Sequence, residues 1–167
     1  MQMSDKILII HHLEPMWENG YKDHGTSFEI LKEEFTFHLE ENHYDKVILT
    51  RFEDFDISYS EYDQLVDYVD QVQVYDYGWC LDMLDVEDLD DLQRLSKYPE
   101  VYQAEDCSLW TSGGNHSEIV WVAEWMLELV DKEVYISGAF DGECVEDLEI
   151  ALEALGVKYR RLNELIV

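Results

Sequence analysis

The run Glu133-Val-Tyr-Ile-Ser-Gly138-Ala-Phe-Asp-Gly-Glu-Cys144-Val-Glu-Asp-Leu constrains this chain more than any other: an apolar strand, a tight glycine turn, then a helix that opens at a cysteine. Apolar residues recur through Val145, Leu148, Ala151, Leu152 and Leu155, and Gly156 ends the helix. Val157 to Leu162 follows as a second strand, which completes a strand-helix-strand unit. Such a unit implies parallel strands joined by a crossover, and open α/β folds build their ligand sites where a strand empties into a helix N-terminus.

The rest of the chain repeats the alternation. Lys6-Ile-Leu-Ile-Ile10 suits a central parallel strand, Lys46-Val-Ile-Leu-Thr50 a second and Val72-Gln-Val-Tyr75 a third. Thr26-Ser-Phe-Glu29 has the form of a capping box that opens a helix with Phe28, Leu31, Phe35 and Leu39 on one face. Short helices are expected at Glu61 to Val69 and at Glu87 to Lys97, the latter stopping before Pro99. Extended structure fits Val101-Tyr102 or Ser108 to Trp110, and Gly113-Gly114 makes a turn. Asn115 followed by Glu118 opens a long helix whose apolar face runs from Ile119 through Met126 and Leu127 to Val130. The expected fold is a single α/β domain over residues 1–167, a three-layer Rossmann-like sandwich with a mainly parallel sheet and helices on both faces.

Composition excludes several classes. With 167 residues, 47% of them hydrophobic and 13% aromatic, the chain can bury one core and is not disordered. No apolar run approaches the roughly 18 residues that a membrane span requires, and Met1 to Lys6 lacks a secretory apolar region, so a cytoplasmic location is expected. Cys80, Cys107 and Cys144 have no paired spacing, which argues for reduced thiols and against a CxxC metal site. The 39 acidic and 11 basic residues leave a formal charge of −28, spread through every segment. A field of that sign repels nucleic acid and anionic membranes and attracts basic surfaces. It suits a solvated acidic exterior, or rows of carboxylates that mimic nucleic acid.

Ligands of open α/β folds bind beyond the carboxyl ends of the strands, and the polar residues gather there. His11, His12 and Glu14 follow the first strand, Arg51 the second, and Tyr75 and Asp76 the third. Gly114, Asn115 and His116 precede the long helix; Asp141, Glu143 and Cys144 follow the late strand. His11 and His12 can be one core and one surface imidazole. With Glu14, His24 or Asp141 they could also suit a transition ion, but no HExxH-type spacing is present and no metal is assigned. Gly113-Gly114-Asn115 serves as a turn and cap, or exposes main-chain N–H groups to an anion. The sequence specifies no cofactor.

At Cys144 two effects oppose each other. Exposed amides in the first helical turn favour the thiolate, while Asp141, Glu143, Glu146 and Asp147 favour the thiol. The segment Val134 to Gly138, with Asp141-Gly-Glu-Cys144-Val145 and Ala151-Leu-Glu-Ala-Leu-Gly156, resembles the nucleophile segment of the isochorismatase-like cysteine hydrolases. In that family a strand ends in a glycine, and a Cys-Val pair opens the helix that follows. The resemblance implies a nucleophile at Cys144. The family's aspartate would stand at the end of the first strand, where this chain has His11, His12 and Glu14, and the region of its lysine, Val101 to Asp106, contains none. The likeness therefore implies the fold and a degenerate catalytic triad.

Two function classes follow. One is a small-ligand-binding α/β protein, a hydrolase with Cys144, His116 and Asp141 as catalytic residues and His11, His12, Glu14, Arg51, Gly114, Asn115 and Glu143 binding the ligand. The other is a non-enzymatic acidic interaction protein that mimics nucleic acid or inhibits a basic, nucleic-acid-binding or defence protein. The expected partners are a small molecule or a basic protein surface, with no nucleic acid or membrane bound directly; self-association is open to such a chain.

Overall fold

Five contiguous apolar-rich segments pair side by side into one all-parallel sheet in the order β3-β2-β1-β4-β5. The computed structural model describes residues 5–52, 59–75 and 124–167. Strand β1 is Lys6–His11, β2 Lys46–Phe52, β3 Gln71–Tyr75, β4 Glu133–Gly138 and β5 Tyr159–Ile166. Helices α1 (Glu18–Asp23) and α2 (Phe28–Glu41) link β1 to β2, a 3-10 segment at Tyr59–Tyr68 precedes β3, another at Glu124–Leu129 precedes β4, and α3 (Cys144–Ala154) links β4 to β5. The expected helix at Glu87 to Lys97, the extended stretch at Val101 to Trp110 and the helix start at Asn115 lie outside the described residues, as do Asp76, Cys80, Cys107, Gly114 and His116.

Side-chain alternation along β1 sends Leu8 and Ile10 to one face and Ile7 and Ile9 to the other, all within 5% of full burial. The first face joins Val47, Leu49 and Leu165 in a cluster completed by Phe28, Leu31, Phe35 and Leu39 of α2 and by Tyr62 and Leu65. On the opposite face Val145, Leu148, Ala151 and Leu152 of α3 and Leu155 just beyond its end are fully buried, and Trp125 and Leu129 lie beside Ile7 and Ile48. The fold is thus a three-layer α/β sandwich of the Rossmann-like type. The chain steps from β1 to β2 in one direction over the α2 face, and from β4 to β5 in the other direction over the α3 face. Opposite directions on opposite faces give both crossovers one hand. Truncating Phe35, 1% exposed, to alanine should cost about 3–5 kcal/mol in a denaturant melt.

Local boundaries differ from expectation for identifiable reasons. The cap of α2 is Ser27, whose side chain accepts the Ile30 N–H at 3.2 Å. Thr26 still belongs to the turn after α1, its N–H bonded to the Tyr21 carbonyl at 2.9 Å, and Glu29 pairs with Lys32 at 2.7 Å. The expected long helix before β4 is described only over Glu124–Leu129, as 3-10 turns with Met126 and Leu129 buried. Helix α3 ends as expected, with Gly156 in the left-handed region (φ 71) and the Val157 N–H returned to Leu152.

Strands β1 and β4 are neighbours from which the chain departs in opposite directions. Their carboxyl ends therefore form the topological switch point, where a crevice opens in this kind of sheet.

Candidate functional site

His11 and Gly138 are paired in register at that point, and Gly138 is there because nothing larger fits. A Cβ on Gly138 would lie 2.0 Å from the His11 carbonyl oxygen, and its φ is 115°. The Ala139 N–H donates to the same oxygen at 2.9 Å, so the chain leaving β4 is pressed against the end of β1 before it turns into α3.

His11 points to the α3 side of the sheet, following Ile7 and Ile9 in alternation, and is fully buried. Its Nδ1 lies 2.8 Å from Thr50 Oγ1, across the register pair His11–Thr50. Thr50 Oγ1 already accepts the His12 main-chain N–H at 3.0 Å, so its own proton is free to go to His11 Nδ1. Donation from Thr50 would place the ring proton of His11 on Nε2. The ring also meets the main chain of Cys144, the first residue of α3, in a hydrogen-bonding interaction that acts on its pKa. Burial lowers the His11 pKa from 6.5 to about 3, with the Cys144 main chain opposing the shift. The ring is neutral across the physiological range.

His12 is fully buried too, which corrects the expectation of one core and one surface imidazole. Its backbone is left-handed (φ 56), and its N–H is shared between the Thr50 carbonyl and hydroxyl, which folds the ring back against His11. The two ring centroids are 3.8 Å apart. Burial first and the neighbouring His11 second hold the His12 pKa well below its ordinary value. The stack extends outward: Trp17 lies 6.1 Å from His12, and Phe140 5.3 Å from Trp17. Phe140 also meets Tyr21 at 5.4 Å and His24 at 5.3 Å. Aromatic groups from the loop after β1 and the loop after β4 thus pack on one another and against the core cluster of the α2 face.

Arg51 continues the β2 alternation onto the other face and is buried with Glu14, Nε to Oε2 at 3.8 Å. The guanidinium also lies over the Tyr62 ring at 5.6 Å. Tyr62 donates to the Leu13 carbonyl at 2.7 Å and Tyr21 to the Glu14 carbonyl at 2.8 Å, so two phenols fix the loop that carries the histidines. Two opposite charges held inside a fold are costly unless they stay together, which ties the position of Glu14 to that of Arg51. His11, His12, Glu14 and Arg51 are therefore interior groups and do not line an open rim.

Cys144 is half-buried at the head of α3. Of the carboxylates expected to disfavour its thiolate, Asp141 and Glu143 are exposed, so water screens their fields. Asp141 does not join the histidines. Its N–H donates to the Val167 carbonyl at 2.5 Å, which turns it outward to an ion pair with Arg161 at 2.9 Å; Arg161 also holds Glu149 at 2.6 Å. The structure thus brings His11, His12 and Cys144 together at the β1–β4 switch point, with Glu14 and Arg51 also buried there, and sets Asp141 and Glu143 outside. Gly114, Asn115 and His116 lie outside the described residues. Thr50, Trp17 and Phe140 were missed; the position of Thr50 at the strand end opposite the histidines was the one available signal. Among the described residues no three His, Cys, Asp or Glu side chains are grouped as a metal site, and no helix is long and apolar enough to cross a membrane.

No protein-family model, curated protein or solved structure matches this chain.

Proposed function

We propose that the protein binds a small carbonyl compound in the crevice between β1 and β4 and hydrolyses it with Cys144 as nucleophile. The observation that carries this reading is the meeting of His11, a fully buried imidazole whose pKa burial lowers, with the main chain of Cys144 at the head of α3. A neutral imidazole at the head of the helix that carries the thiol is suited to polarise a carbonyl oxygen, and its low pKa keeps it a donor without a charge.

In this reading the Cys144 sulfur attacks the carbonyl carbon, the bond to the leaving group breaks, and the thiol proton leaves with that group. Water then hydrolyses the thioester, releasing the acid and restoring the thiol. His11 donates to the developing oxyanion in both steps, while Thr50 holds its tautomer and His12 its ring plane. The resemblance to the isochorismatase-like cysteine hydrolases supports the same residue as nucleophile. The family's acid and lysine positions are unmatched, so activation of the thiol rests here on the head of α3 and the neutral histidine.

Native mass spectrometry should identify a small molecule retained by the purified protein, and hydrolysis is then assayed on that molecule and on simple esters and amides. Cys144→Ala should lower turnover at least about a thousandfold with an unchanged circular dichroism spectrum. Full activity in that variant would overturn the assignment.

A further inference from the structure

Two large apolar side chains stand in water on one stripe of α2: Phe37 is 65% exposed and Ile30 48%. They are seven residues apart, two helical turns or about 10 Å, and so face the same way. Phe37 forms the ridge between two open grooves. One, of about 570 Å³, runs between α2 and β5 and is walled by Ile30, Phe37 and Leu165, with Glu34, Glu41 and Glu164 along its rim. The other, of about 600 Å³, runs between α2 and the Tyr59–Tyr68 segment and carries Glu40 and Asp67. Lys32 is taken up internally by Glu29 and Asp63 at 2.7 and 2.6 Å. Among the described residues no ion pair engages Glu34, Glu40, Glu41, Asp67 or Glu164.

From this juxtaposition we infer that the outer face of α2 is a docking surface for a basic, amphipathic segment of a partner protein, with Phe37 as its anchor. Charge selects the occupant. A second copy would bring the same carboxylates against one another, and nucleic acid or an anionic membrane would be repelled. A small cation would have no use for the exposed ring. A segment with aliphatic side chains at helical spacing would lay them against Phe37 and into the groove walled by Ile30 and Leu165, and its lysines or arginines would reach the rim and the acidic groove on the other side of Phe37. This surface lies on the α2 side of the sheet, whereas Cys144 opens the helix on the other, so docking is independent of hydrolysis.

The test uses the full chain and a fluorescent Lys/Leu peptide patterned as an amphipathic helix, titrated by anisotropy at rising salt. Two control peptides replace Leu by Ser, or Lys by Glu. The Lys/Leu peptide should bind in a salt-sensitive manner and the controls should bind far more weakly. Phe37→Ser should weaken binding at least about tenfold without shifting the melting temperature, since the side chain is exposed. Glu34→Gln with Glu41→Gln should weaken it, while Glu146→Gln with Glu153→Gln on α3, an equal change in charge, should leave it intact. The inference is overturned if the Lys/Ser peptide binds as tightly, if both glutamine pairs act alike, or if Phe37→Ser is neutral. It is also overturned if Phe37→Ser converts a dimer to a monomer, which would make a second copy the occupant.

Discussion

Gly138→Ala is expected to lose on the order of 4–5 kcal/mol of stability or more, a large part of what a domain of this size possesses. Two costs combine. The backbone at Gly138 (φ 115) is strained for any residue with a side chain, and the added methyl carbon would sit 2.0 Å from the His11 carbonyl oxygen and 2.6 Å from its nitrogen. Those atoms are main chain of the central strand, so they cannot rotate away; β1 and β4 would have to part at the crevice. Gly142→Ala separates the two costs, because Gly142 has a φ of 75° but nothing within 4 Å of an added Cβ. It should lose only about 1–2 kcal/mol. Urea unfolding of both variants checks the comparison, and equal losses would show that close approach at the β1–β4 junction is not what requires glycine at Gly138.

Acidification should destabilise the protein well before its carboxylates titrate. His11 has a folded pKa of about 3 against 6.5 when solvated, and His12 is also shifted down, both chiefly by burial. Between those values the unfolded chain binds protons that the folded chain refuses, so stability rises with pH across the window and is complete above about pH 6.5. As pH falls, each histidine contributes a loss on the order of 1.4 kcal/mol per pH unit. The informative interval is about pH 6.5 to 5, where solvated carboxylates remain ionised and relief of self-repulsion does not intrude. His11→Asn with His12→Asn removes the titrating rings and should flatten the urea-derived slope. A flat slope in the unaltered protein would mean that both rings titrate as solvated groups and that the crevice is open to water.

The fold was legible where one rule acts locally. The unbroken apolar run of β1 and the helical spacing from Val145 to Leu155 both announce burial, and each lies where it was expected. The strand order, and with it the meeting of the ends of β1 and β4, came from the structure, because pairing between strands distant in sequence has no local signal. The direction of the side chains was not legible, because it is decided by partners far away in sequence. His12 turns inward through Thr50, 38 residues on, and Asp141 turns outward through Val167 and Arg161. The capping box failed for a nearer reason: Thr26 is used by the turn after α1. Two adjacent histidines carry no mark in the sequence to say that both are interior.

The most direct test of the crevice is nitrogen NMR of the histidine rings before and after Cys144 is alkylated with iodoacetamide, in a Cys80→Ser, Cys107→Ser background. Alkylation adds an amide carbonyl to the sulfur at the head of α3. The account predicts that His11 is neutral with its proton on Nε2 from about pH 7 to 5, and that its Nε2–H resonance moves on alkylation as the new oxygen accepts it. A His11 ring that carries its proton on Nδ1, titrates near its ordinary value, or is indifferent to the modification would contradict it.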